Sequence, residues 1–469
     1  MRNPLPALGL ALAATLASGT GSPAQEVMNR FVRIAPRVPG VVYAPVTQAG
    51  AGVAVVVMHD NNDFLDHPAT VNLASRGYTV LAANNRFTPD VEDRDTDWDD
   101  ALRDLGAAMR FARRLPGIER VVLLGHSSGA PLAAAYQNIA ENGVKACQGP
   151  EKITPCPASL AGFERADALV LLDPIFGLGA NVLASVDPAE GAGEAGAALD
   201  MYAPANGFSP GGAQYSEAFR RRFLAAQAAR NARLIETALE RRRVLDAGRG
   251  DYADDEPFVV PGATRTPRLW RPDLALLSHT RGAHLLLRGD GSRSTEVVRT
   301  VRVPSGLSTS VADRRDRDAA QPGAAASSRA ARPLLNGGTL NTTVRRFLST
   351  FASRSTADYG IGESAVSGID WHSSYTSTPG SLEGVSVPLL VMGMTGHYWI
   401  VSAETAWEHA ASRDKSVAFV EGATHSFTPC EPCTRTPGQF GDTVAATFDH
   451  VAGWIGERFG ARGRVGGSP

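Results

Sequence analysis

The amino-acid sequence predicts an α/β fold whose central sheet is mostly parallel and doubly wound. Apolar, β-branched segments such as Val53–Met58 recur along the chain and are bounded by polar residues or glycine, a pattern typical of strands buried on both faces. Between two of these segments, residues 98–114 carry apolar side chains at helical spacing, with Asp97, Asp99 and Asp100 at the start. Strands that alternate with helices indicate parallel pairing, and therefore this class of sheet.

The apolar patterns predict the strands and helices of this core individually. The predicted strands are Val53–Met58, 78–83, 121–124, Ala168–Leu172, 387–392 and 416–420. The predicted helices are 98–114, 130–136, 403–411 and Thr443–Phe459.

The alternation breaks in the middle of the chain, and we interpret the break as a cap or lid inserted into one core. Within it, residues 215–245 predict an amphipathic helix and residues 289–291 predict the turn of a hairpin. The low-complexity segment 313–332 is predicted to be mobile. We expect the insertion to cover the substrate pocket, because lids that exclude water are commonly built in this way. The predicted parts are a signal segment 1–24, core parts 25–177 and 385–469, and the insertion 178–384.

The charge balance argues against a polyanionic partner. The chain has 46 Lys and Arg against 48 Asp and Glu, for a net charge of −2. Such a chain has no overall attraction to nucleic acid or to an anionic membrane. We therefore expect a small-molecule or lipid substrate.

The first 24 residues have the three-part layout of a secretory signal. Arg2 precedes an apolar run at 7–17, and small residues follow at 22–24. The alternative is a membrane anchor, but the apolar run is shorter than the roughly 20 residues needed to span a bilayer. The sequence thus predicts a secreted or periplasmic protein, with no membrane segment after the signal is removed.

The four cysteines of the chain predict two disulfides, since their number is even and the protein is predicted to be exported. Proximity along the chain pairs Cys147 with Cys156 and Cys430 with Cys433. A zinc site is the alternative, but Cys430 and Cys433 form the only close pair at metal-ligand spacing.

The segment Gly125-His-Ser-Ser-Gly129 matches the nucleophile elbow G-x-S-x-G. It directly follows the strand predicted at 121–124 and precedes the helix predicted at 130–136, which is the context that the motif requires. The alternative is an ordinary glycine-rich turn between a strand and a helix. We predict that Ser127 is a nucleophile.

A serine nucleophile requires a base and an acid that orients it. His425 lies just after the last predicted strand and before the final helix, from where a loop can reach the nucleophile. Asp173 ends the strand that follows the nucleophile, whereas the strand at 387–392 is followed by no acid before Glu404. We therefore predict His425 as base and Asp173 as acid. The structural alternatives are a hydrogen-bonded histidine and an aspartate that caps a loop.

An oxyanion hole requires two backbone N–H groups directed at the developing charge. One should come from Ser128, the residue after the nucleophile. The other should come from the loop after the strand Val53–Met58, and we choose Asn61 over Asp60.

These motifs together resemble the α/β-hydrolase superfamily over residues 40–180 and 384–460. The acid after the strand next to the nucleophile is similar to the branch of chlorophyllase and platelet-activating-factor acetylhydrolase. The resemblance implies an α/β-hydrolase fold with a large cap, and cleavage of carboxylic esters without a metal or organic cofactor. Two features depart from the family: Asp60 stands where glycine usually follows the histidine, and the insertion is larger than in those relatives. The relatives' substrates therefore do not carry over.

The sequence thus predicts a secreted serine hydrolase, esterase-like or lipase-like, that forms an acyl-enzyme on Ser127. An acyltransferase or amidase that uses the same three residues remains an alternative. So does a non-catalytic binding protein that keeps the fold and uses the insertion as a partner surface.

Overall fold

The computed structural model describes residues 25–46, 52–88, 96–209, 212–265, 271–304 and 339–460. The predicted signal segment 1–24 and the low-complexity segment 313–332 lie outside these ranges. Within them, no helix combines the length and the apolar character that a membrane crossing would require.

Strands in the described ranges form one large central sheet and two small sheets. They are β1 Val27–Ala35, β2 Val38–Pro45, β3 Val53–Met58, β4 Thr79–Ala83, β5 Arg120–His126, β6 Ala168–Leu172, β7 Pro257–Pro261, β8 His279–Leu287, β9 Arg293–Arg299, β10 Thr339–Thr343, β11 Ser355–Ile361, β12 Val366–Ile369, β13 Leu389–Met394 and β14 Lys415–Val420. The small sheets pair β7 with β10 and β11 with β12.

Helices cover both faces of the central sheet. Those in the described ranges are α1 Ala69–Ala74, α2 Trp98–Arg113, α3 Gly129–Asn142, α4 Leu178–Ser185, α5 Glu217–Asp246, α6 Val344–Arg346, α7 Thr378–Leu382, α8 Ile400–His409 and α9 Thr443–Phe459. Four of them begin after a residue whose side chain accepts a hydrogen bond from a backbone N–H of the first turn, namely Asp97, Ser216, Ser377 and Asp442.

The central sheet has ten strands in the order β1-β2-β4-β3-β5-β6-β13-β14-β8-β9. Strand β2 is antiparallel to its neighbours, and every pair from β4 across to β8 is parallel. The first eight strands in this order, with the second antiparallel, have the topology of the α/β-hydrolase fold. The predicted fold class is therefore confirmed.

The order of the strands also locates a crevice. The chain leaves β3 for β4 on one side and then returns past β3 to β5 on the other. In open α/β sheets, ligands bind outside the carboxyl ends of the strands at such a switch point. The segments that follow β3 and β5 carry His59 and Ser127, respectively.

The core lies on both faces of the sheet because its central strands are buried on both sides. Along β3, Ala54, Val56 and Met58 pack into the apolar cluster that contains α2 and α3. The alternate residues Val53 and Val55 pack into the opposite cluster, which contains α1 and α9. This division explains why β3 is a continuous apolar run rather than an alternating one.

Every core strand and helix that the sequence predicted is present, with ends that differ by a few residues. The predicted amphipathic helix at 215–245 is also present, as α5. The sequence did not predict β1, β2 or α1. Strand β1 is at the edge of the sheet and exposes Met28 and Phe31, so its pattern does not follow burial. Helix α1 is short and has no acidic residue in its first turn.

The hairpin predicted in the insertion is present as β8 and β9, but it belongs to the central sheet. Residues Leu285 to Leu287 of β8 pair in parallel with residues 418–420 of β14. Without this pairing, β14 would present unpaired backbone groups at an edge. The insertion, which we predict to be a cap, therefore also contributes two strands to the central sheet.

Both predicted disulfides are formed, Cys147 with Cys156 and Cys430 with Cys433. The second follows the loop that carries His425, and the N–H of Cys430 donates to the carbonyl of Gly422 at 2.8 Å. It thus closes a tight turn next to the predicted base.

Candidate active site

Ser127 lies in a strained turn between β5 and α3. Its φ of 58° is in the left-handed region, which is unusual for a residue with a side chain. The two glycines of the motif are required by space. A Cβ on Gly125 would lie 2.5 Å from the carbonyl oxygen of Gly129, and a Cβ on Gly129 would lie 2.6 Å from that of Met58. The turn therefore has the geometry expected of a nucleophile elbow.

Asp173 lies beside Ser127 because their strands are paired. His126 at the end of β5 is in register with Leu172 at the end of β6, and the next residues are Ser127 and Asp173. Asp173 is completely buried, and its own φ is 43°. Its backbone N–H donates to the carbonyl of Met392 on the neighbouring strand at 2.7 Å. Backbone pairing on both sides thus determines the position of the carboxylate.

His425 reaches Asp173 from the loop between β14 and α9. The distance from its Nδ1 to Oδ2 of Asp173 is 2.5 Å. Burial by itself would raise the pKa of Asp173, but the imidazoles of His397 and His425 lower it to about 2. The acid is therefore a carboxylate at neutral pH, and it accepts the Nδ1 proton. This tautomer leaves Nε2 of His425 as the nitrogen that can take a proton.

The hydroxyl of Ser127 has no hydrogen bond to His425 in the part of the chain that the structure describes. The two residues are nonetheless neighbours, because the rings of His126 and His425 lie with their centroids 4.4 Å apart. Catalytic hydrogen bonds are often long or poorly aligned without substrate and shorten when it binds. We expect the hydrogen bond between Ser127 and His425 to form when substrate binds.

The geometry of the oxyanion loop runs against the choice of Asn61 as donor. The backbone N–H of Asn61 donates to Nδ1 of His59 at 3.2 Å, and that of Asn62 donates to the same atom at 3.0 Å. By contrast, the backbone N–H groups of Asp60 and Ser128 have no acceptor among the described residues. The N–H groups of Ser128 and Asp60 are therefore the pair left without an acceptor in the described residues, because the side chain of His59 folds back and takes the N–H of Asn61.

A buried polar cluster holds this loop against the elbow. The hydroxyl of Ser128 donates to Oδ1 of Asp60 at 2.5 Å and lies 2.9 Å from Nε2 of His59. Asp60 also forms an ion pair with Arg265, which comes from the insertion. Burial would raise the pKa of Asp60, but the charge of Arg265 and the contacts with His59 and Ser128 lower it. Burial lowers the pKa of His59 to about 4, so its ring is neutral.

Two further histidines lie behind the elbow. Nδ1 of His67 accepts from the backbone N–H of Ala69 at 3.1 Å, which leaves Nε2 of His67 to donate to Nδ1 of His126 at 3.0 Å. Burial lowers the pKa of His67 to about 3 and that of His126 far below its usual value. Both rings are therefore neutral and anchor the strand that ends at Ser127.

Sequence reasoning missed His397 and Arg265. His397 follows β13, where this fold often has its acid, and its Nδ1 lies 2.7 Å from Oδ2 of Asp173. The rings of His397 and His425 are stacked with centroids 4.4 Å apart. The position of His397 after a core strand was a usable signal. No local pattern distinguishes Arg265 from the many arginines of the insertion.

Comparison with known proteins gives structural likenesses only. No protein-family model matches the chain, and no curated protein matches it. It is similar to the crystal structure of brefeldin A esterase, described as a bacterial homologue of human hormone-sensitive lipase, at 11% identity over 95% of this chain and 80% of that one, with a TM-score of 0.39.

Two other solved structures give comparable values. A hormone-sensitive lipase from a metagenome library is 13% identical over 94% of this chain and 88% of that one, with a TM-score of 0.37. The α/β hydrolase GrgF from Penicillium sp. sh18 is 12% identical over 92% of this chain and 99% of that one, with a TM-score of 0.38. At TM-scores this low, the likenesses say nothing about the substrate of this chain.

Proposed function

We propose that the chain is a secreted serine hydrolase that cleaves a carboxylic ester through an acyl-enzyme on Ser127. The observation that carries this proposal is the hydrogen bond of 2.5 Å between His425 and the buried Asp173, formed beside a serine in a strained elbow. His425 and Asp173, distant in sequence, come together in this way at the switch point of the sheet, and Ser127 follows the strand that pairs with the strand ending at Asp173. A purely structural turn would not require that arrangement.

The proposed reaction has two stages, acylation of Ser127 and hydrolysis of the acyl-enzyme, and the same groups act in both. Ser127 Oγ attacks the acyl carbon while Nε2 of His425 takes its proton, and Asp173 stabilises the imidazolium that forms. The N–H groups of Ser128 and Asp60 donate to the developing oxyanion. His425 then gives the proton to the departing alkoxide, which leaves as the alcohol. Water, activated by the same imidazole, releases the carboxylic acid.

The position of the acid supports a more specific likeness. Asp173 follows β6 instead of β13, as in the branch of chlorophyllase and platelet-activating-factor acetylhydrolase. The signal-like segment 1–24 supports export. The substrate we propose is a small-molecule or lipid ester, since the chain has nearly balanced charges, with a net charge of −2.

The test is covalent labelling of the mature protein with a fluorophosphonate, together with hydrolysis of p-nitrophenyl esters of several chain lengths. We expect both activities in the parent and neither in Ser127→Ala. Ser292→Ala, at an exposed serine after the turn of the β8–β9 hairpin, is the matched control and should behave as the parent. If the parent reacts with neither reagent, or if Ser127→Ala is as active as the parent, the proposal is wrong.

A further inference from the structure

The catalytic acid has two imidazoles at one oxygen, which is one more than the proposed reaction needs. Ligand atoms of Asp173, His397 and His425 all lie within 4.8 Å of one another. His397 is 7% exposed, and its Nδ1 lies 2.7 Å from Oδ2 of Asp173, the oxygen that Nδ1 of His425 also contacts. One carboxylate oxygen therefore has two imidazole nitrogens within hydrogen-bond distance.

We propose that Asp173, His397 and His425 form a binding site for a Zn²⁺ ion. Two imidazole nitrogens and one carboxylate oxygen are a ligand set that zinc prefers, and three protein ligands leave a fourth position for water. The site lies on rigid elements: Asp173 ends β6, and His397 follows β13 in the neighbouring parallel strand.

The ligands must separate slightly to admit the ion. Zinc bonds of about 2.0–2.1 Å in a tetrahedron place ligand atoms about 3.3 Å apart. The two imidazole nitrogens now lie 2.5 Å and 2.7 Å from Oδ2 of Asp173. Each ring therefore has to withdraw by less than 1 Å, which loop residues can do. The ion takes the place of the proton on Nδ1 of His425, and the neutral ring then carries its single proton on Nε2.

Zinc at this site blocks the proposed reaction. With the ion on Nδ1 of His425, the single proton of the neutral ring lies on Nε2, which can then no longer accept one from Ser127. Reversible inhibition by zinc is therefore expected. This consequence rests on the proposed function, whereas the binding of the ion does not.

The test uses the full mature chain without a histidine tag, freed of metal, and Co²⁺ as a spectroscopic substitute for Zn²⁺. We expect one cobalt per chain, with the intense visible absorption of four-coordinate cobalt, and loss of that absorption when zinc is added. His397→Gln should bind at least tenfold more weakly. His409→Gln is the matched control, because it removes an exposed imidazole that contacts Glu383 at 2.7 Å. It should bind as the parent does.

Two further measurements test the metal site independently of the His397 variant and of the proposed hydrolysis. X-ray absorption of the zinc-loaded parent should show two imidazoles in the coordination shell, and this measurement needs no variant that might fail to fold. Ser127→Ala should retain the cobalt spectrum, so failure of the proposed hydrolysis and failure of the metal site are distinguishable. Absence of cobalt binding, equal binding by His397→Gln and the parent, or fewer than two imidazoles at the ion would each overturn the proposal.

Discussion

At the scale of single residues, the site depends on two buried carboxylates that have different partners. Asp173 faces His425 and His397, and Asp60 faces Arg265, Ser128 and His59. For each of the two residues, burial favours the neutral acid, but the neighbouring groups favour the charged carboxylate more strongly. In the proposed reaction, the first carboxylate orients the base, and the second holds the loop that presents an oxyanion donor.

We expect Asp173→Asn to fold and to hydrolyse esters about 10⁴-fold more slowly, because an amide favours the wrong tautomer of His425. The rate constant kcat on a p-nitrophenyl ester measures this loss, and circular dichroism checks the fold. Asp414→Asn, which removes an exposed partner of Arg458, is the control and should keep the activity of the parent. A decrease of less than tenfold would show that Asp173 does not orient the base.

We expect Arg265→Met to lower the free energy of unfolding at pH 7 by about 3–5 kcal/mol, because it leaves a buried carboxylate uncompensated. Asp60 is completely buried and Arg265 is mostly so. Urea unfolding measures the change. Arg221→Met removes an exposed i,i+4 pair with Glu217, and about 0.5 kcal/mol or less is expected there.

The same variant has a defined pH dependence. In the parent, the lowered pKa of Asp60 contributes stability above its ordinary value of 3.8, and this contribution is lost as the pH falls through the folded-state pKa. Without Arg265, no positive charge offsets the effect of burial, so the pKa of Asp60 rises. Protonation of Asp60 then removes the cost of burying an unpaired charge. The difference between parent and variant should therefore be smaller at pH 4 than at pH 7. A difference that grows on acidification would contradict this account.

At the scale of elements, the elbow works because three backbone segments pack without side chains between them. The end of β5, the start of α3 and the end of β3 meet at Gly125 and Gly129. The last contact joins the elbow to the oxyanion loop, since Met58 precedes His59. Close packing here brings the loop that follows β3 next to Ser127, the residue that follows β5.

We expect Gly129→Ala to destabilise the fold by about 1–3 kcal/mol and to reduce ester hydrolysis, because the added methyl group would displace the backbone at Met58. Urea unfolding and kcat/KM measure the two effects. Gly453→Ala is the matched control: an added Cβ in α9 has nothing within 4 Å, and the helix should gain up to about 1 kcal/mol. Equal behaviour of the two variants would show that the contact with Met58 is not tight.

At the scale of the whole molecule, the insertion and the core are interdependent. Strands β8 and β9 extend the central sheet, and Arg265 connects the insertion to the oxyanion loop. Removal of the insertion would therefore expose β14 and a buried carboxylate at once. A minimal hydrolase core is not expected to fold from this chain by excision.

The molecule as a whole should lose stability in mild acid. Burial lowers the pKa of His59, His397 and His450 to about 4 and that of His67 to about 3. The unfolded chain binds these protons near the ordinary value of 6.5, so the free energy of unfolding should decrease as the pH falls from about 6.5 towards 4. Between pH 7 and pH 5 the loss is about 2 kcal/mol per histidine.

Unfolding by urea between pH 7 and pH 5 measures this slope. His450→Gln removes one of these histidines from α9, away from the site. It should lower the number of protons taken up on unfolding by about one, which makes the dependence of the free energy of unfolding on pH less steep. A stability that is constant or higher at pH 5 would contradict the burial of these rings.

The sequence by itself determined the core strands, the G-x-S-x-G turn, both disulfides, and the pairing of His425 with Asp173. Each of these leaves a local trace: an apolar run, a glycine pair, a short spacing, or a polar residue directly after a strand. Parallel pairing then brings the strand ends to one edge, so the order of strands and motifs was enough to predict which side chains would meet.

Only the tertiary structure decided the second imidazole at Asp173, the ion pair of Asp60 with Arg265, the hydrogen bond of the Asn61 N–H to His59, and the place of β8 in the central sheet. These depend on contacts between segments far apart in the chain and on the direction in which a side chain folds. Apolar periodicity reports burial, but it does not report which partner covers a given surface. Partners of that kind are set by packing in three dimensions.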